Sequence, residues 1–436
     1  MFATIVLLTL GLTIYLAYRE RIKYPHLSKQ EIQNSLRSIA RHVALEKWEE
    51  AEKELAPLLD KGLCGKETLL LHSQVLRGTK KLEQGLFLVM DASRLYPEEL
   101  LFRQEEGIIL LEMGHPIDAL SAFKVCAPIL RSEADLLFVA QAYFQGGYYE
   151  HCLEILFPLI PHTRNGKVLI LAGELYYEQK NYSEAIRFYQ KALEFADNLS
   201  RVLNRLGHAY LRSKQLDRAE KIFRMILEKD SSDVTATLGL GGCMQKQGQY
   251  QKALHIYQSG KAWEKNHPQI LQQTGICATL SKKYYFASRY FAQAIEIQGP
   301  TPQLLAWYGY SLECEKKWSD AEQNYFQFIE LFPGEPNGYR SLAWLYGVGL
   351  STSLSLEQAF NYAQVSLKLV PDPVSWEIMG ACEARKGNYA RAHQILEFLL
   401  LSDSDRRSRT RRQQAMRKLR KNLPLGDPLV LRSLAA

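Results

Sequence analysis

The residues of this chain that could do chemistry are seven cysteines, ten histidines and a short run of glycines. Cys64, Cys126, Cys152, Cys243, Cys277, Cys314 and Cys382 form no CxxC pair and are odd in number. That pattern argues against a disulfide framework or a zinc knuckle and for thiols kept reduced. The histidines show no HExxH and no other paired spacing, so no metal-ligand set stands out. The glycines between Gly239 and Gly242 have the composition of a dinucleotide loop, yet no strand precedes them and their flanks read as helix. Neither GxSxG nor GxxxxGK[ST] occurs. The acidic residues Glu49, Glu50, Glu105 and Glu106 read as solvated helix faces. The expectation is a protein that is not an enzyme, with no catalytic, cofactor-binding or metal-binding residue.

What must position any working surface is a repeat. With 436 residues, 47% hydrophobic and 23% charged, the chain has ordinary globular averages, which excludes collagen, wholesale disorder and a polytopic membrane protein. A small or weakly matching residue recurs at Ile39, Ser73, Gly107, Ala140, Gly173, Gly207, Gly241, Gly275, Gly309, Ala343 and Gly380, at intervals of 33, 34 or 37 residues. A second series follows twelve residues later, or sixteen in the tenth unit: Ala51, Gly85, Ala119, Cys152, Ala185, Ala219, Ala253, Ala287, Ala321, Ala359 and Ala392. Apolar residues at helical spacing, such as Leu203, Leu206 and Tyr210, then Ala219, Phe223 and Ile226, make each half of a unit an amphipathic helix. Neither helix can bury its stripe alone, so hairpins must stack. In this register Cys126, Cys152, Cys243, Cys277 and Cys382 take small core positions. The tenth unit carries four extra residues between Gly347 and Glu357, which read as a longer turn.

This pattern resembles the tetratricopeptide repeat family. Further marks are Tyr143, Tyr176, Tyr210 and Tyr346 three residues after the first small residue, and Phe123, Tyr189, Phe223, Tyr257, Phe291 and Tyr325 four after the second. Pro97, Pro333 and Pro371 close units. The resemblance covers about residues 32–405. It implies an all-α, right-handed superhelical solenoid of about eleven helix-turn-helix repeats, with peptide ligands held on a concave face lined by the first helices. In this register that face takes Lys167, Glu174 and Tyr177; Arg201, Asn204 and His208; Gln269 and Gln272; Gln303, Tyr310 and Glu313; and Asn337, Arg340 and Trp344. The candidates for partner binding are Arg201, Asn204, His208, Tyr310, Arg340 and Trp344, because Tyr, Trp and Arg give large or bidentate contacts. The Lys/Asn/Arg carboxylate clamp of chaperone-binding members is not reproduced, since Arg201 and Asn204 lack its companions in neighbouring units.

The two ends differ from the array. Residues 2–18 are free of charge, and seventeen helical residues span about 25 Å, the short end of a bilayer crossing. Arg19, Arg21, Lys23 and Lys29 follow in a basic linker over 19–31, so the positive-inside rule places the array in the cytoplasm. Residues 403–436 carry ten Lys/Arg against three Asp/Glu, leaving the rest of the chain at 44 against 44. The segment 406–436 reads as a basic capping helix and a tail; contact with anionic lipid headgroups is a further reading of its charge, and nucleic acid ranks below both. The expectation is a single-pass membrane scaffold binding protein or peptide partners. A regulatory subunit of a membrane-associated enzyme complex, or a basic-tail binder of nucleic acid or anionic lipid, is the alternative. The layout is similar to that of bacterial inner-membrane tetratricopeptide repeat proteins and mitochondrial import receptors.

Overall fold

Ten of the eleven repeats join their two helices by a tight turn of one geometry. The residue seven positions after the small one takes a left-handed backbone: Glu46 at φ 55°, Lys80, Lys180, Lys214, Lys282 and Lys316 at φ of 61–63°, and Gly114, Gly147, Gly248 and Gly387 in their own units. The next backbone N–H then reaches back to a helix carbonyl, as Gln215 does to Tyr210 at 2.9 Å and Gln249 to Met244 at 2.8 Å. This closure satisfies carbonyls that the end of a helix leaves open. At the starts, Ser132 and Ser355 form capping boxes, Asp233, Thr301 and Asp372 cap with their side chains, and Pro116, Pro268, Pro302, Pro336 and Pro373 open the first turn.

The computed structural model describes residues 28–195, 198–259, 266–351, 353–402 and 406–419. Among them are 23 α-helices, a 3₁₀ turn at Ala127–Ile129 and no strand. Five hairpins come first: α1 (Lys29–Ala44) with α2 (Trp48–Asp60), α3 (Lys66–Gly78) with α4 (Leu82–Leu95), α5 (Leu100–Glu112) with α6 (Pro116–Cys126), α7 (Glu133–Gln145) with α8 (Tyr149–Leu156), and α9 (Gly166–Glu178) with α10 (Tyr182–Ala192). Six follow: α11 (Leu199–Arg212) with α12 (Leu216–Lys229), α13 (Val234–Lys246) with α14 (Tyr250–Ser259), α15 (Pro268–Leu280) with α16 (Tyr284–Gln298), α17 (Pro302–Cys314) with α18 (Trp318–Leu331), α19 (Pro336–Gly347) with α20 (Leu356–Leu369), and α21 (Pro373–Arg385) with α22 (Tyr389–Ser402). A last helix, α23, spans Arg406–Leu419. The chain divides into two compact units, residues 1–202 and 203–436.

In the glycine-bearing hairpins from the third to the ninth, the small residue receives a ring. A Cβ built on Gly107 would lie 2.6 Å from the Phe123 ring, one on Gly173 2.5 Å from Tyr189, and one on Gly275 2.7 Å from Phe291. Phe123, Tyr189 and Phe291 are all buried. Between hairpins of the first unit, Ile39, Leu55 and Leu58 cluster with Val75 of the next repeat. In the second unit, Leu305 and Tyr325 cluster with Leu342 and Leu345. This is nearest-neighbour packing.

The long turn of the tenth hairpin folds back on the stack. Leu350 and Ser351 donate their backbone N–H groups to Leu345 O at 2.8 and 3.0 Å, and Leu354 is buried in the cluster holding Ala321 and Phe328. At the far end of the second unit, α23 buries Ala415 and Met416 against Leu396 and Leu399. Arg412 of that helix is buried in an ion pair with Glu377 and donates from Nη1 to Leu399 O at 3.3 Å.

The expected membrane placement is overturned. Among the described residues no helix is long and apolar enough to cross a membrane. The longest, α1, has 16 residues, a rise of about 24 Å against a hydrocarbon core of about 30 Å. Residues 2–18, on which the transmembrane helix and the single-pass, cytoplasm-facing localisation rested, lie outside the described residues.

Candidate partner-binding strip on the first helices

Within each unit, hydrogen bonds bridge the first helices of several neighbouring hairpins at repeating positions. Three residues before the small one, Gln104 donates to Asp135 at 2.6 Å, Asn204 to Asp233 at 3.0 Å and Gln272 to Gln303 at 2.9 Å. Arg340, in the same position, donates to Ser375 Oγ at 3.0 and 2.9 Å and pairs with Asp372 at 2.9 Å. Four residues after the small one, Arg77 meets Glu105 at 2.7 Å and Gln245 meets Gln273 at 3.1 Å. These bridges tie neighbouring first helices together at six places.

The six expected partner-binding residues divide accordingly. Arg201 is exposed, and its backbone N–H is capped by Asn198 Oδ1 at 3.0 Å. Asn204 is half-buried; its Nδ2 serves the bridge to Asp233, and its Oδ1, shielded from solvent, has no hydrogen-bond partner. His208, Tyr310 and Trp344 share the position after the small residue. His208 is half-buried, sits edge-on to Phe223 at 5.2 Å, and is held below the usual imidazole pKa by burial and by Arg212 and Arg205. Tyr310 is half-buried, edge-on to Trp307 at 6.3 Å, and its phenol is pushed up by burial and by Cys314. Trp344 is only 1% exposed and its Nε1 has no partner. Arg340 is 8% exposed and engaged by the next hairpin. Arg340 and Trp344 therefore hold repeats together, while Gln269 and Gln303 on the same strip are exposed.

Sequence reasoning missed the most perturbed acid. Glu313 is 3% exposed, accepts a 2.6 Å hydrogen bond from the Tyr325 hydroxyl, and leaves Oε2 without a partner. Burial lifts its pKa to about 7 although the Tyr325 bond opposes the rise. Glu105 and Glu106, read as solvated, are buried; Arg77 at 2.7 Å holds Glu105, and Arg103 at 2.8 Å holds Glu106. Glu49 and Glu50 are exposed.

Five of the seven cysteines are buried in the packing. Burial pushes the thiols of Cys126 and Cys277 up to about 11 and those of Cys152, Cys243 and Cys382 up to about 12, so each stays protonated and a poor nucleophile near neutral pH. The Gly239–Gly242 run lies inside α13, where a Cβ on Gly239 would meet Phe223 at 2.3 Å and one on Gly241 would meet Tyr257 at 2.2 Å. These glycines seat rings, not phosphates. Among the described residues no group of three or more His, Cys, Asp or Glu could hold a metal ion.

Part of the chain matches a known repeat family. Residues 176–236 and 210–272 match the tetratricopeptide repeat family model. The chain is 21% identical over 227 residues to the BBSome complex member BBS4 of Bos taurus, covering 52% of this chain and 44% of that one. It is 30% identical over 90 residues to tetratricopeptide repeat protein 21A of Mus musculus, covering 21% of this chain and 7% of that one. The chain thus spans less than half the length of either relative. Among solved structures, a tetratricopeptide repeat protein from Parabacteroides merdae is 17% identical, with a TM-score of 0.45 over 62% of this chain and 98% of that one.

Proposed function

We propose that this chain, a tetratricopeptide repeat protein, is a non-catalytic scaffold that holds segments of partner proteins on the first helices of its second unit and works as a subunit of a multiprotein assembly. The observation that carries this reading is the tied strip of first helices, which presents Gln269 and Gln303 exposed and His208 and Tyr310 half-buried on a backbone braced by the bridges of Asn204, Gln272 and Arg340. A braced surface binds with little loss of side-chain freedom. Gln269, Gln303 and Tyr310 offer polar atoms to a partner's main chain, while Asn204, Arg340 and Trp344 act by positioning. The raised pKa values of the buried thiols support the non-catalytic reading. The bovine relative is by name a member of a complex, which supports the assembly role. α23 caps the core of the last repeat through Ala415, Met416 and Arg412.

The test is to purify the chain under native conditions from its source and measure the mass of the particle that carries it by size-exclusion chromatography with light scattering. A heteromeric particle of fixed stoichiometry is expected. A chain that elutes alone at every salt concentration contradicts the assembly role.

A further inference from the structure

We propose a second docking surface, in the first unit and on the second helices: a cleft between the third and fourth hairpins that takes an amphipathic helix of a partner protein, its apolar face inward and a carboxylate beside that face. The cleft has a volume of about 620 Å³ and is walled by α6, the Ala127–Ile129 turn, α7 and the start of α8.

The cleft forms beside a break in the pattern: α6 ends at Cys126 in a 3₁₀ turn containing Pro128, and Tyr148 and His151 line the cleft from the start of α8. Two apolar side chains that line the cleft face solvent: Ile117 is 64% exposed and Tyr148 46%. Clustered exposed apolar residues of this size mark interaction sites.

The shape of the walls favours a helix as occupant. Ile117, Leu120 and Lys124 line one wall and Leu136, Val139 and Tyr143 the other, both at i, i+3, i+7. Seven residues at 1.5 Å each make both walls about 10 Å long, two helical turns. Two parallel ridges at this spacing form a groove that accepts the ridge of a third helix. Tyr143 stacks on His151 at 5.3 Å, with Tyr148 edge-on to that ring at 6.3 Å, closing one end with a rigid aromatic wall.

The charge specifies the partner. Lys124, exposed, is the lysine or arginine among the lining residues, and no carboxylate lines the cleft. A helix carrying Glu or Asp next to its apolar stripe therefore gains an ion pair that a lysine-flanked helix cannot make.

The test uses the full chain and two synthetic helix-forming peptides of about four turns with the same leucine face, one flanked by Glu and one by Lys. The Glu-flanked peptide is expected to bind saturably in fluorescence anisotropy, roughly tenfold tighter than the Lys-flanked one. It should slow amide exchange in α6, α7 and α8. Ser121→Trp, which puts an indole into the cleft, should abolish binding of both peptides. Lys124→Glu, at an exposed position and so independent of folding, should remove or reverse the preference for Glu. The proposal is overturned if neither peptide binds, if Lys124→Glu leaves the preference intact, or if protection falls outside these helices. Concentration-dependent self-association of the chain that Ser121→Trp suppresses would assign the cleft to a second copy and overturn the partner helix.

Discussion

Tyr325 donates its hydroxyl to Oε1 of Glu313 at 2.6 Å, joining the two helices of the ninth hairpin by a phenol and a carboxyl that are both buried. Burial raises the Glu313 pKa from the ordinary 4.5 to about 7. A carboxyl with a folded pKa above its unfolded one binds its proton more tightly in the folded state, so its stabilising contribution is complete below about pH 4.5 and is lost as pH rises to about 7. The difference is on the order of 3 kcal/mol. Melting temperature should fall between about pH 5 and about pH 8 more steeply for the native chain than for Glu313→Gln. Equal slopes would place the pH dependence elsewhere.

The glycines of the small-residue series are not equivalent. A Cβ on Gly241 would lie 2.2 Å from the Tyr257 ring, whereas one on Gly380 meets nothing nearer than Ile395 Cγ2 at 3.6 Å. Gly241→Ala should destabilise by about 1–3 kcal/mol through overpacking. Gly380→Ala should be neutral or stabilise by up to about 1 kcal/mol, because alanine is the better helix former. Urea unfolding of the two variants distinguishes ring-seating from an alternative register, in which both would behave alike.

Lysine occupies a left-handed turn position that glycine fills in sibling repeats. Lys214 stands at φ 62° and Gly248, one repeat on, at φ 74°. A left-handed non-glycine residue costs about 1–2 kcal/mol, part of which glycine forfeits by the greater freedom of its unfolded chain. Lys214→Gly should therefore raise stability by about 0.5–1 kcal/mol, and Gly248→Lys should lower it. Thermal melts of the pair provide the check.

The ion pair of Arg412 with Glu377 ties α23 to α21 inside the last cluster. Arg412→Ala removes the guanidinium from a buried carboxylate, a change that costs about 3–5 kcal/mol in comparable pairs. Amide exchange over 410–419 should accelerate at least about tenfold. Adding Glu377→Gln should restore much of the protection; no change in either variant would mean that α23 is held by Ala415 and Met416 alone.

Much of the fold was legible because it repeats. Gly207 and Phe223, sixteen residues apart, are the same pair as Gly275 and Phe291, and eleven units in register fixed the hairpins and the small-core role of the cysteines. What was not legible depends on contacts between repeats. Glu105 and Arg77 are 28 residues apart, and nothing local distinguishes Glu105 from the exposed Glu49. Trp344 reads as a ligand contact from residue type, but its place against the next hairpin buries it. The left-handed lysines did carry a signal: in nine of the eleven units Lys or Gly stands seven residues after the small one, before a new amphipathic run. The cleft between the third and fourth hairpins lies beside the Ala127–Ile129 turn, which periodicity does not set.

The most direct test of the scaffold reading is a photoreactive amino acid placed at Tyr310, on the first-helix strip, and separately at the exposed Lys221 of α12. Irradiation of the full chain in its native extract should give a defined partner adduct from Tyr310 and none from Lys221. Capture from both positions alike, from Lys221 alone, or from neither would contradict a working surface on the first helices.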